Sequence, residues 1–240
     1  MSTLNSCPPY KSQRLARAKN ALGCVRHFAE LPPDIQEAIA RVAMPRHFEA
    51  GQVIYLQGEL ATALYILESG WVKATRMSRE GREQAMLFLK PGEIFGDVAV
   101  FTDTSYPGTV VVLEPVNLWV IQKSAILELV ARYPELALAV IRHLGDRVLY
   151  YVGLVEDLSL RSVEARLAST LLKQAELSDG RLAVPRRAWT TFDEMATRLG
   201  TVRDVLSRAL RMLEDEGLLR VDRHAIVILD PAGLVARGNS

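Results

Sequence analysis

From Phe48 through Lys123 the chain has no histidine and no cysteine, which removes the ligand set that a metal-dependent barrel enzyme of the cupin type requires. Among all 240 residues there are two cysteines, Cys7 and Cys24, close together near one end. Two are too few for a disulfide framework or a cysteine-rich zinc module, and they fit a reducing compartment. No apolar run approaches membrane-spanning length, and the polar, basic first stretch has no apolar core of a secretory signal. The expected location is therefore the cytoplasm, with no membrane partner. Net charge is missing too: 29 basic and 28 acidic side chains leave +1, so any attraction to nucleic acid has to come from local placement. Neither a Ser-His-Asp set nor a glycine-rich phosphate loop occurs, and catalysis is not expected.

What the chain does have is a core: 49% hydrophobic and 24% charged residues over a length beyond one typical domain predict two domains. The most informative stretch is Thr190 to Gly217. Thr191 and Glu194 have capping-box spacing, and Phe192, Met195, Ala196 and Leu199 share a helical face that ends at Gly200. A second helix follows, with Thr201 as its N-cap and Val202, Leu206, Ala209, Leu210 and Leu213 as its buried stripe. Its other face gathers Arg203, Asp204, Ser207, Arg208 and Arg211, mostly in the first turns, where a helix entering the major groove places its base contacts. Beyond Gly217, Leu218 to Val221 and Ala225 to Leu229 read as two strands joined at Asp222, Arg223 and His224. The unit is a helix-turn-helix with a wing, and it predicts binding to double-stranded DNA. Arg203 and Arg208 suit guanine, Asp204 a cytosine amine and Ser207 a short hydrogen bond, whereas Thr191, Arg223 and His224 are placed for phosphates.

Taken in order, the remainder divides at 1–30, 31–133, 134–161 and 162–240. The first segment, proline-containing and basic, reads as an arm or a late-docking strand. Asp34 to Val42, after Pro33, reads as a short helix. From His47 to Val120, short apolar runs (Val53 to Leu56, Leu64 to Leu67, Trp71 to Met77, Ala85 to Leu89, Thr109 to Leu113, Leu118 to Ile121) are punctuated by glycine and proline at the spacing of an all-β jelly roll. Helix returns near Ser124 and breaks at Pro134. Ala137, Ile141, Leu144, Val148, Tyr151, Val155 and Leu158 then alternate spacings of four and three, the seam of a coiled coil and hence of a homodimer. Val140, Val152 and Leu154 lie off that seam and are expected to pack on the chain's own barrel. A hinge is expected near Leu158 to Ser162, a further helix over Val163 to Gln174, and a loop or hairpin over Leu177 to Arg187. The fold class is α+β: a sensor barrel, a dimerisation helix and a winged helix-turn-helix.

This order, together with GWVKA at Gly70 to Ala74, PGEIFGDVAVF at Pro91 to Phe101 and EDLSLRSVEARLASTLL at Glu156 to Leu172, resembles the cyclic-AMP receptor protein and fumarate-nitrate regulator family of bacterial transcription factors. The resemblance covers most of the chain. It implies a dimer that activates or represses promoters, with an activator expected here and RNA polymerase as partner, and an effector held in the barrel against the long helix.

Cyclic-AMP binders of that family supply a carboxylate and then an Arg-Ser pair for the cyclic phosphate. Asp97 can stand for the carboxylate, but Pro107 and Gly108 occupy the Arg-Ser positions, and no Arg or Lys lies within Phe101 to Val112. Tyr151 and Val152 stand where those binders place hydroxyl residues that read the base. Cyclic AMP is therefore not the expected effector. An iron–sulfur cluster needs four cysteine ligands and is excluded by count. A haem ligand would have to come from Cys7, Cys24, His27, His47 or His143, and no cofactor is expected. An apolar effector near Tyr106 and Tyr151, or no effector and control by abundance, are the other readings. For both tyrosines, core packing is preferred.

Overall fold

Leu15, Ala18, Ala21 and Leu22 recur at helical spacing, and they set the helical stretch that carries them against the core. A computed structural model describes residues 9–77, 83–178, 180–187 and 189–238. Its described residues form two compact units, one within 1–77 and 86–148 and the other within 78–85 and 149–240. In the first, α1 (Pro9–Gly23) and α2 (Arg26–Ala29) precede α3 (Pro33–Val42). The segment expected as an arm or strand is thus a docked helix from Pro9 onward, because Ala18, Ala21 and Leu22 bury one face; residues 1–8 lie outside the described set. Helix α3 starts on Pro33, carries Asp34 in its first turn and Arg41 in its last, and buries Ile35, Ile39 and Ala40.

The strands β1 (Met44–Phe48), β2 (Val53–Tyr55), β3 (Ala63–Met77), β4 (Glu83–Leu89), β5 (Ile94–Phe95) and β6 (Thr109–Gln122) form one sheet. Its order is β1-β6-β3-β4, with β2 added on β6 and β5 on β3. Two pairs of expected short strands merge here. Leu64 to Leu67 and Trp71 to Met77 are one strand, as are Thr109 to Leu113 and Leu118 to Ile121, and the β3–β6 register shifts between Leu67 and Val72. The shifts replace a chain break with a bend. At that bend Gly70 has φ +83°, and a Cβ there would lie 2.4 Å from the Pro115 carbonyl oxygen. Only glycine permits both the dihedral and the approach. Trp119, Leu64, Ile66, Leu67, Leu118 and Ile121 fill the core beneath. Helix α4 (Asp97–Phe101) interrupts the strands, and α5 (Lys123–Arg132) follows them.

Helix α6 (Pro134–Leu160) has 27 residues, a length of about 40 Å. It belongs to the first unit as far as Val148 and to the second from Leu149. Leu136, Ala139 and Val140 are buried, and Leu144 is half-buried against the core of its own unit. On the other side Leu138, Ile141, Gly145, Val148, Val152 and Val155 are all exposed. The exposed stripe therefore runs through Leu138, Gly145 and Val152, where Ala137, Leu144 and Tyr151 were expected and are half-buried. Val152, expected on the barrel-facing flank, is 58% exposed. A repeat of 3.5 fits either stripe, and the rotation of the helix is set by the residues its own unit buries. Leu154 is half-buried, and the Leu158 side chain lies outside the described set.

In the second unit Ser162 caps α7 (Val163–Gln174), its Oγ accepting from the Ala165 amide at 3.1 Å. The hairpin β7 (Glu176–Ser178) and β8 (Arg181–Pro185) follows; Asp179 lies outside the described set. Then come α8 (Phe192–Arg198), α9 (Arg203–Asp215), β9 (Leu219–Val221), β10 (Ala225–Ile228) and α10 (Pro231–Gly238). The wing is wider than two strands: the sheet order is β7-β8-β10-β9, because the hairpin adds its second strand to the wing. Leu167, Leu171, Leu206, Leu210, Leu213, Ile226 and Leu234 share one core.

Gly70→Ala is expected to destabilise the first unit by about 2 kcal/mol or more, from the left-handed dihedral and the overlap with a backbone oxygen. Urea unfolding followed by tryptophan fluorescence checks this.

Candidate nucleic-acid interface and sensor core

Thr191 begins α8 with its Oγ1 accepting from the Glu194 amide at 3.2 Å, the first half of the expected capping box. Gly200 closes the helix, and the Thr201 amide turns back to the Ala196 carbonyl at 2.9 Å. This places Thr201 inside the turn, so the N-cap of α9 is Val202, without a side-chain cap. The burial pattern of α9 is otherwise clear. Leu206, Ala209, Leu210 and Leu213 are buried, and Arg203, Asp204, Arg208 and Arg211 are exposed with Ser207 half-buried beside them. Val202 was expected in the buried stripe and is instead 64% exposed, since the helix begins one residue later than the pattern suggests.

Arg203 reaches Asp193 on α8 at 3.4 Å, a solvated contact that leaves its guanidinium available. Arg208 has no hydrogen bond or ion pair among the described residues and stands exposed one turn along. Arg223 and His224 sit in the wing turn between β9 and β10, also exposed. Their neighbour Asp222 does not cancel them. Arg220 grips its carboxylate twice, at 3.0 and 2.9 Å, and holds that carboxyl below the usual range.

Two residues that sequence reasoning passed over complete the surface. Ala225 on β10 pairs with Pro185 on β8, which brings Arg186 next to the wing, where its amide donates to the His224 carbonyl at 2.8 Å. The Arg186 guanidinium lies over the Phe192 ring at 5.1 Å and donates to the Asp222 carbonyl at 3.2 Å. Arg186, Arg187, Thr190, Thr191, Arg203, Arg223 and His224 line a single cleft of about 800 Å³, whose acidic member is Asp193. Four arginines against one carboxylate supply the local positive field that the net charge does not. The Arg186-Arg187 pair was visible as a basic dipeptide, but its relevance depends on the β8–β10 pairing.

In the first unit, Asp97 and Tyr106, both expected around an effector, each engage other residues of the domain. Asp97 opens α4 at 2% exposure, and its Oδ2 is 3.0 Å from His143 Nε2 on α6. Its Oδ1 is 3.8 Å from the Arg147 guanidinium, which donates to the Ile94 carbonyl at 2.7 Å. A carboxylate this deep requires such partners. Tyr106 is a core residue whose hydroxyl donates to the Ala63 carbonyl at 2.7 Å and accepts from the Ala63 amide at 3.2 Å. It stacks on Tyr55 at 3.8 Å, and Tyr65 and Phe95 stack nearby at 5.0 Å. Burial pushes the Tyr55 and Tyr65 phenols far above their ordinary range, so both remain neutral. Gly108 lies against β3, where a Cβ would fall 2.6 Å from the Thr75 carbonyl oxygen. A serine at that position would not fit this backbone, and Pro107 beside it has no charge to offer a phosphate.

Tyr151 and Val152 belong to the second unit, Tyr151 half-buried with its ring edge-on to Tyr150 at 5.5 Å and Val152 exposed. The three histidines considered for haem each hydrogen-bond a carboxylate: His27 to Asp146 at 2.7 Å, His47 to Glu49 at 3.1 Å and His143 to Asp97 at 3.0 Å. Cys24 is exposed, and Cys7 lies outside the described residues. Among the described residues no helix is long and apolar enough to cross a membrane.

Residues 45–133 match the cyclic nucleotide-binding domain, and residues 165–237 match the Crp-like helix-turn-helix domain. The chain is 28% identical to the cyclic AMP receptor protein of Thermus thermophilus over 205 residues, covering 85% of this chain and 93% of that one. It is 26% identical to the CRP-like cAMP-activated global transcriptional regulator of Mycobacterium tuberculosis over 214 residues, covering 88% and 95%. A solved transcriptional regulator of the CRP/FNR family from Thermus thermophilus superposes with a TM-score of 0.67 at 24% identity, covering 82% of this chain and 99% of that one, which is a likeness of fold. The chain thus carries a cyclic nucleotide-binding domain followed by a Crp-like helix-turn-helix domain, in the order its β sheet and winged domain display, and over most of its length it is similar to CRP-like transcriptional regulators.

Proposed function

We propose that the chain works in the cytoplasm as a homodimeric, sequence-specific activator of transcription whose sensor domain does not use the cyclic-AMP phosphate clamp. The observation that carries the DNA-reading part is the start of α9. It presents Arg203, Asp204 and Arg208 to solvent while its apolar stripe is buried, and it is bordered by the basic cleft of Arg186, Arg187, Arg223 and His224. In this arrangement α9 reads base edges and the cleft receives backbone phosphates. Dimerisation is supported by the stripe of Leu138, Ile141, Gly145, Val148, Val152 and Val155, an apolar surface too regular to be left in water. A second copy of the same helix suits it, since two α9 helices must meet successive major-groove faces about 34 Å apart. Contact with RNA polymerase is carried over from the family, and the regulatory role is binding rather than catalysis.

Two regulatory readings follow from the sensor core. An effector other than cyclic AMP would be held by a sensor domain in which Tyr55, Tyr65, Phe95 and Tyr106 are packed on one another. The second reading, a regulator without effector whose activity follows its abundance, is favoured by that cluster and by the engagement of Asp97 with His143 and Arg147.

Arg208→Ala is expected to weaken binding to the selected site by roughly 5- to 150-fold, the range of one lost bidentate base contact, while leaving random-sequence affinity nearly unchanged. Arg223→Ala is expected to weaken all sequences alike and to reduce the salt slope by about one. Fluorescence-anisotropy titrations at several salt concentrations separate the two, and equal losses on both DNAs for Arg208→Ala would contradict its assignment. Val152→Glu is expected to convert the dimer to a monomer in sedimentation velocity, because it places a charge in the apolar seam. A dimer that persists would rule out this register.

A further inference from the structure

Val202 occupies a position where the fold gains little from an apolar side chain. It is the N-cap of α9, with φ −110° and ψ 157°, and its carbonyl accepts from the Val205 and Leu206 amides at 3.1 Å each. Ser162 and Thr191 cap α7 and α8 with their hydroxyls. Val202 has no such hydroxyl, so the first amides of α9 are left for water or an outside acceptor. Its two methyl groups are also exposed, at 64%, in a neighbourhood of exposed Arg203, exposed Asp204 and half-buried Ser207. Both features disfavour valine in the free protein.

The same features suit a DNA-bound state. A β-branched side chain is stiff about χ1, so the methyls are held in place at the leading end of the helix. Among the base edges of the major groove, the C5 methyl of thymine is the apolar group, and apolar side chains recognise it by contact. We propose that Val202 is a specificity-determining residue that packs on a thymine methyl in each half-site, beside the bases read by Arg203 and Asp204. This rests on the DNA-reading function proposed above. It adds a preference that hydrogen-bonding residues alone would not give, because the methyl carries no donor or acceptor.

The test uses the full-length protein. Duplexes selected by the wild type are resynthesised with each thymine in turn replaced by deoxyuridine, which pairs identically and lacks only the methyl. The wild type is expected to lose about fourfold in affinity at one thymine per half-site, the value of one buried methyl group. Val202→Ala and Val202→Ser are expected to bind the thymine and deoxyuridine duplexes equally; the serine restores a cap hydroxyl, so its loss of discrimination does not come from a weakened helix. If no thymine is sensitive in the wild type, or if the same penalty persists in both variants, the inference is overturned. If the wild type enriches no sequence at all, the DNA-reading assignment fails and this inference fails with it.

Discussion

Helix α6 is apolar on two opposite sides, and only one of them is covered by its own chain. Leu136, Ala139 and Val140 are buried in the first unit, and His143 and Arg147 continue that side into an ionic contact with the buried Asp97. Those contacts fix the rotation of the helix about its axis. The opposite stripe of Leu138, Ile141, Gly145 and Val148 is thereby turned to solvent, and Val152 and Val155 further along the helix are exposed as well. The proposed dimer is therefore a consequence of how the first unit packs. In the same way, α9 is oriented by burying Leu206, Ala209, Leu210 and Leu213, which leaves its arginines outward.

The sensor core shows the family's frame with different chemistry inside. Asp97 retains a carboxylate at the end of β5, yet its neighbours are the histidine and arginine of α6. At Gly108 the backbone approaches β3 closely, a Cβ there falling 2.6 Å from the Thr75 carbonyl oxygen, so the proposed absence of a phosphate clamp is supported by local packing as well as by composition. Tyr55, Tyr65, Phe95 and Tyr106 form a stacked cluster in the core of the same unit.

Much of this was legible from local signals. The helix-turn-helix was written in a capping pair, a turn glycine and a 3.6-residue stripe, and the wing in two short apolar runs, so the boundaries were read closely. The failures occur where the deciding information is non-local. Whether Leu144 or Gly145 belongs to the exposed seam cannot be read from a repeat that fits both, and depends on the contacts of Val140 and His143. Arg186 gained its place through strand pairing between β8 and β10, separated by the whole helix-turn-helix. Helix α1 was obscured because its basic surface dominates the composition, while Ala18 and Leu22 do the packing. Val202 was misplaced by one position at the helix start, where small shifts between turn and helix move a side chain from core to solvent.

The most direct measurement is selection from random-sequence duplexes by purified, ligand-stripped protein, with and without added cyclic AMP. A two-fold symmetric site enriched equally in both conditions is expected, because the residues in the position of the phosphate clamp are Pro107 and Gly108. Enrichment that requires cyclic AMP would contradict the reading of the sensor core, and enrichment of no sequence in either condition would contradict the reading of α9 as a helix competent to read DNA unaided.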